Sequence, residues 1–303
     1  MIGNAFSELH LLLTNSYSKF RTAIATENLE KIKSIASKQP RILSSQIDND
    51  GNTSLGYAIM CESPKSANTL IECGADVDVG NVAQVISPLH MMGRKIPNDT
   101  KRVFELIDLL IQHNCQIDVV RTQSTTTPEG YPYYEHITPL MDAIVLENID
   151  VIEKLAEKGG DVNFVCEFSG NSPLLWAATT GNISILRLLL KLNADVKHAS
   201  YDGNTVLHWL SSCSKHNISF KEIVELLLEK GCALDSQNSS GQTALMLAIS
   251  KSACSLVDIL LSNNSSTQIE DIYGFKAIDY ANNIECAHCI VALENTKDSE
   301  KTT

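Results

Sequence analysis

The sequence predicts an all-α solenoid of about eight stacked helix pairs joined by extended finger connectors. Three observations carry this. A residue that opens a helix, a hydroxyl residue in six of seven copies, recurs at intervals of 34, 51, 34, 33, 38 and 33 residues. A Gly or Asn closes an apolar helical stretch once in each interval. The composition is 44% hydrophobic with only 6% aromatic residues, so the core must be built from Leu, Ile, Val and Ala spread over many small units.

The recurring start is Thr53, Ser87, Thr138, Ser172, Thr205, Thr243 and, as the exception, Lys276. Two residues on stand Leu55, Leu89, Leu140, Leu174, Leu207, Leu245 and Ile278, and Pro88, Pro139 and Pro173 directly follow their hydroxyl residue. A hydroxyl N-cap followed by Pro at the first helical position is how a helix start is written. The closing residues are Gly74, Asn114, Gly159, Asn193, Gly231 and Asn264, each followed by a small residue. Gly and Asn are the residues that most readily take the left-handed conformation that ends a helix. Pairs such as Leu70-Ile71, Leu110-Ile111, Leu189-Leu190 and Leu227-Leu228 precede them. Each unit therefore reads as a helix, a turn, a second helix, a left-handed cap and an extended connector.

This pattern resembles the ankyrin repeat, most closely in GNSPLLWAATTGNISILRLLLKLNADVK (Gly170 to Lys197), DGNTVLHWL (Asp202 to Leu210), LIECGADVD (Leu70 to Asp78) and GQTALMLAI (Gly241 to Ile249). The resemblance implies an N-terminal capping region with a degenerate helix pair (1–49), six repeats (50–268) and a C-terminal capping repeat (269–294). The polar end NTKDSEKTT (295–303) is expected to be disordered. One helix pair cannot bury its apolar face alone, so stability should come from stacking on neighbours. His90 and His208 occupy the family's helix-start histidine position, where a hydrogen bond to the connector, not catalysis, is expected.

Departures from the pattern point to function, because the scaffold needs only the pattern. The 51-residue step places about six extra residues between two helices, around Gly93 to Thr100. Twelve more enlarge the finger VVRTQSTTTPEGYPYYEH (119–136), whose flanks have strand propensity around a Pro128-Glu129-Gly130 turn signal. Its Tyr131, Tyr133 and Tyr134 either anchor a partner or pack on the neighbouring finger. Four residues after each helix start lie Tyr57, Met91, Asp142, Trp176, Trp209, Leu247 and Tyr280, on or near the concave face of such folds. The expected partner footprint is Trp176, Trp209, Tyr131, Tyr133, Tyr134 and Asp142, with Phe164, Phe168 and Tyr201 on the fingers. The longer turn Ser211 to Phe220 reads as a tolerated loop. Leu155 with Asp161-Val162-Asn163 resembles targets of the ankyrin-directed asparaginyl hydroxylase, although Asn163 equally suits a connector hydrogen bond.

Charge and cysteine usage narrow the classes. A net charge of −12 disfavours nucleic acid and anionic membranes as partners. No export leader and no membrane span is read, so the nine cysteines are expected as free thiols in the reducing cytoplasm. Cys286-Ala-His-Cys289 lacks a thioredoxin-like context and four evident zinc ligands, and is expected to be the apolar face of the capping helix. No phosphate-binding glycine loop, HExxH or GxSxG occurs. Catalytic residues, cofactors and metals are therefore expected to be none. The leading expectation is a monomeric, non-catalytic adaptor that binds a protein through its concave face and fingers. The competing one is an enzyme or enzyme subunit that uses Cys and His residues in an unusual pocket. The tail is similar to C-terminal signals of bacterial type IV effectors, a resemblance that implies a host protein as partner; an ordinary frayed terminus has the same composition.

Overall fold

Each hydroxyl start does form a helix N-terminus in the computed structural model, which describes residues 15–83, 86–94, 98–126, 132–213 and 220–300. Gly56, Met141 and Met246 donate their N–H groups to Thr53, Thr138 and Thr243 Oγ1 at 3.1, 3.4 and 3.4 Å. Such bonds satisfy donors that the first turn of a helix leaves without partners. At Lys276, which has no hydroxyl, Asp279 Oδ2 instead accepts the Lys276 N–H at 2.7 Å. The opposite ends are equally regular. Gly74, Asn114, Gly159, Asn193, Gly231 and Asn264 all have positive φ, from 62° to 97°.

The described helices follow in pairs: α1 (15–25) with α2 (Leu29–Lys38), α3 (Ser54–Met60) with α4 (Pro64–Glu72), α5 (Pro88–Arg94) with α6 (Thr100–Gln112), and α7 (Pro139–Val145) with α8 (Ile149–Glu157). Then come α9 (Pro173–Thr180) with α10 (Ile183–Lys191), α11 (Val206–Ser212) with α12 (Lys221–Glu229), α13 (Ala244–Ser250) with α14 (Cys254–Ser262), and α15 (Ala277–Asn283) with α16 (Ala287–Glu300). The class is all-α and solenoid-like, as expected. One antiparallel hairpin interrupts it, β1 (Arg121–Thr126) against β2 (Pro132–Ile137), with Arg121 opposite Ile137 and Thr125 opposite Tyr133. The enlarged finger is thus a β-ribbon, and its turn, 127–131, lies outside the described residues.

The chain divides into two compact units, Met1–Asp161 and Val162–Thr303. In the first, Leu55, Leu70, Leu89, Leu106, Ile107, Leu110 and Leu155 are fully buried. In the second, Leu186, Leu189, Ile223, Leu227, Leu245 and Leu260 are. Within each unit, first helices pack on first helices and second on second, so the core runs as a strip between two helix layers.

Two sequence expectations change. Part of the extra length after Arg94 goes into α6, which has 13 residues against 9 in α4, α8 and α10. Asn98 and Asp99, which lead into α6, are held by the buried Glu62 carboxylate, which accepts their N–H groups at 2.8 and 2.9 Å. The second change is at the C-terminus: α16 runs to Glu300, through residues expected to be disordered. Nothing between Ala287 and Glu300 stops it, since the segment contains neither Gly nor Pro.

Candidate partner-binding surface

The connectors set the surface. In the second unit the fingertips are joined by backbone hydrogen bonds: Tyr201 N–H to Ser169 O (3.0 Å), Ser239 N–H to Asp202 O (2.8 Å) and Ile272 N–H to Ser240 O (3.1 Å). This ladder fixes the tips as one ridge, so side chains on it are presented without further ordering of the backbone. The ridge carries Phe168, Tyr201, Ile272, Tyr273 and Phe275, which are 55, 65, 62, 75 and 53% exposed. Five large apolar side chains this exposed on one ridge have no core to serve.

Behind the ridge lie the first helices. Trp176 on α9, Trp209 on α11, Leu247 on α13 and Tyr280 on α15 are half-buried at equivalent positions. Both indole Nε1 atoms are buried and have no hydrogen-bond partner. The tryptophans therefore form a floor, with their polar edges turned away from any partner. Phe164 is half-buried beside the finger residues.

At the terminal finger a groove of about 670 Å³ is lined by Asp271, Tyr273, Phe275, Asp279, Tyr280, Asn282 and Asn283. Asp271 organises it. Its Oδ1 accepts the N–H groups of Tyr273 and Phe275 at 2.8 and 2.9 Å, and its Oδ2 accepts the Tyr280 hydroxyl at 2.6 Å. Burial raises the Asp271 pKa, but the Tyr280 hydroxyl and the turn N–H groups outweigh it and hold the group below the usual carboxylate range. The Tyr280 hydroxyl is pushed up by burial and by this bond. The buried, ionised Asp271 thus holds the terminal turn and the Tyr280 ring in place at the groove.

Other expected site residues are placed differently. Asp142 is 3% exposed, and Arg121 grips it with Nε at 2.7 Å from Oδ2 and Nη2 at 2.5 Å from Oδ1. A partner cannot reach it, so Asp142 leaves the footprint. It anchors the β-ribbon. Tyr133 and Tyr134 lie in β2, and Tyr131 lies outside the described residues. The terminal-finger residues Ile272, Tyr273 and Phe275 were not expected, although DIYGF (Asp271 to Phe275) is conspicuously apolar beside the polar SQNSSG of the preceding finger.

Asn163 belongs to a recurring staple. Asp78, Asp118, Asn163 and Asp235 stand four residues after a cap, and the Oδ1 of each accepts the N–H two residues after the next cap. The acceptor distances to Gln116, Asp161, Asp195 and Ser266 are 3.3, 3.0, 2.8 and 3.0 Å. Asn163 Nδ2 also donates to Asn193 O at 3.4 Å, so Asn163→Asp, which keeps the acceptor and loses this weak donor, should cost less than Asn163→Ala, which should cost about 1 kcal/mol in urea unfolding. An equal loss in both variants would show that the shared acceptor oxygen is not what matters.

His90 and His208 bond the connectors as expected. Their Nε2 atoms lie 3.0 and 2.9 Å from Ile137 O and Gln242 O, and their Nδ1 atoms 2.9 Å from Ser87 Oγ and Thr205 Oγ1. A carbonyl can only accept, which assigns the ring proton to Nε2 in both. Cys115 and Cys232 fill the small post-cap position, and burial raises their thiol pKa values, that of Cys232 to about 11. Cys286 immediately precedes α16. The N–H and thiol of Cys289 hold it below the ordinary thiol range, whereas burial raises Cys289.

Comparison with known proteins agrees with the repeat. A family model for ankyrin repeats (three copies) matches residues 140–218 and 210–301, together more than half of the chain. The chain is 27% identical to the Caenorhabditis elegans ANK repeat-containing protein nipk-1 over 76% of this chain and 37% of that protein. It is 29% identical to a putative ankyrin repeat protein of Rickettsia felis over 45% of each, and 30% identical to the mouse B-cell lymphoma 3 protein homolog over 42% of this chain and 27% of that one. The chain thus spans less than half the length of these relatives. Among the described residues no helix is long and apolar enough to cross a membrane. With its start residues, left-handed caps and connector-bonded histidines in the repeat's own positions, this chain belongs to the ankyrin-repeat family.

Proposed function

We propose that the chain is a non-catalytic, protein-binding module that works in the cytoplasm, and that its second unit engages the partner with the fingertip ridge. Ankyrin repeats in general mediate protein–protein interaction. The observation that carries the assignment here is the row of exposed Phe168, Tyr201, Ile272, Tyr273 and Phe275 on tips tied together by backbone hydrogen bonds. Aromatic anchors on a preorganised surface supply most of the energy of an interface. Asp202, Glu270, Asp271 and Asp279 lie on or beside these tips, and the chain's net charge is −12, so the complementary segment is basic and apolar.

The test is affinity capture from a eukaryotic lysate, identification of the retained protein, and titration of that protein against variants. Tyr201→Ala and Tyr273→Ala should each weaken binding about thirtyfold, which is about 2 kcal/mol, without lowering Tm. Trp176→Ala and Trp209→Ala should weaken it comparably but lower Tm as well, because their rings are part of the floor. Wild-type affinity in both tyrosine variants, measured on folded protein, would remove the ridge from consideration. Deleting 125–134 then asks whether the β-ribbon is the site instead.

A further inference from the structure

The structure brings a third thiol to the CxxC sequence. Cys254 opens α14, Cys286 immediately precedes α16, and Cys289 lies in the first turn of α16, which packs against α14. The Sγ atoms of Cys254 and Cys286 are 3.8 Å apart, those of Cys286 and Cys289 are 3.1 Å apart, and all three lie within 4.8 Å of one another. Among the described residues, no other group of three or more Cys, His, Asp or Glu ligand atoms gathers in this way. We propose that Cys254, Cys286 and Cys289 form a three-thiolate Zn(II) site with its fourth position open to an exogenous donor.

Geometry supports this. A Zn–S bond of about 2.3 Å puts two sulfurs of a tetrahedral site about 3.8 Å apart. The Cys254–Cys286 separation already has that value, and the other two need sulfur shifts of roughly 1 Å or less, within reach of a χ1 adjustment. The donor set is all thiolate, which suits a thiophilic d¹⁰ cation and excludes Mg(II) and Ca(II). Cys289 is fully buried, whereas Cys254 and Cys286 are partly exposed, so an ion would enter from one side and keep a solvent-facing position. His288 does not complete the set, because its Nε2 is 2.9 Å from Asp258 Oδ1. On coordination three S–Zn bonds form, the thiol protons pass to solvent, and nothing is oxidised. The ion would clip the start of the last helix to its neighbour.

The experiment uses the full chain, reduced with a phosphine and freed of metal. Elemental analysis after Zn(II) loading and gel filtration should find one zinc per chain. Cys254→Ser should lower the affinity more than the roughly 10–100-fold that loss of an outer-shell partner costs, and Cys61→Ser, in the other unit, should leave it unchanged. Cd(II) added to the wild-type chain should give a thiolate-to-metal charge-transfer band, which decides the matter even if the serine variant does not fold. Retention of zinc at wild-type affinity by folded Cys254→Ser would overturn the proposal. So would a wild-type chain that neither retains zinc nor shows the band.

Discussion

Asp142→Ala should destabilise the first unit by roughly 3–5 kcal/mol, the usual cost of breaking a buried ion pair from one side. The pair is bidentate and the two side chains are only 10 and 4% exposed, so little water screens it. Removing the carboxylate leaves a guanidinium buried without that partner. Arg121 is the first residue of β1 and Asp142 lies on α7, so the pair ties the root of the ribbon to the helix that follows it. Replacing both by apolar residues, as in Arg121→Met with Asp142→Leu, should recover most of the loss. Chemical denaturation of the two variants checks this. A single variant as stable as wild type, or a double variant worse than the single, would mean that the pair does not anchor the ribbon.

The same pair shows what a sequence of this kind conceals. Helix starts and left-handed caps were legible because each is a local rule that the repeat writes out several times. Arg121 and Asp142 are joined across a hairpin of no fixed register in the repeat, so nothing local marks them as partners. Asp142 therefore read as one more first-helix position available to a partner. Trp176 and Trp209 do stand on first helices, α9 and α11. Their half-burial depends on the fingers beside them, which periodicity does not describe.

The terminal finger was missed for a different reason. Its apolar run, Ile272-Tyr273-Gly274-Phe275, sits in a connector of ordinary length, whereas the enlarged finger and the two tryptophans mark 131–209 as departures from the pattern. The third thiol was also recoverable. Cys254 and Cys286 are 32 residues apart, close to one repeat period, and positions one period apart lie side by side in a stacked array. Cysteines at that spacing should be read as neighbours in any protein of this class.

Acidification should destabilise the first unit through His90. Burial is the largest influence on it and lowers its pKa from 6.5 to about 4. The Ile137 carbonyl and Asp142 pull the other way, while Arg121 and Arg94 lower it further. The folded state therefore keeps this ring neutral where the unfolded chain already binds a proton. Stability is fully present above pH 6.5 and is lost as pH falls from there to about 4. For a depression of this size the loss is about 3 kcal/mol over the window, with about 2 of it reached by pH 5. His208, whose pKa burial also lowers, adds to the loss in the second unit. Urea titrations at pH 7.5 and pH 5 measure the difference. Substituting His90→Gln should lower stability at neutral pH, so the informative quantity is the slope: losing one titrating proton should flatten it by about 1.4 kcal/mol per pH unit where the difference is greatest. If wild type and His90→Gln show the same slope between pH 7 and 5, the ring is protonated in the folded state and the helix-start histidine is not the acid-sensitive element.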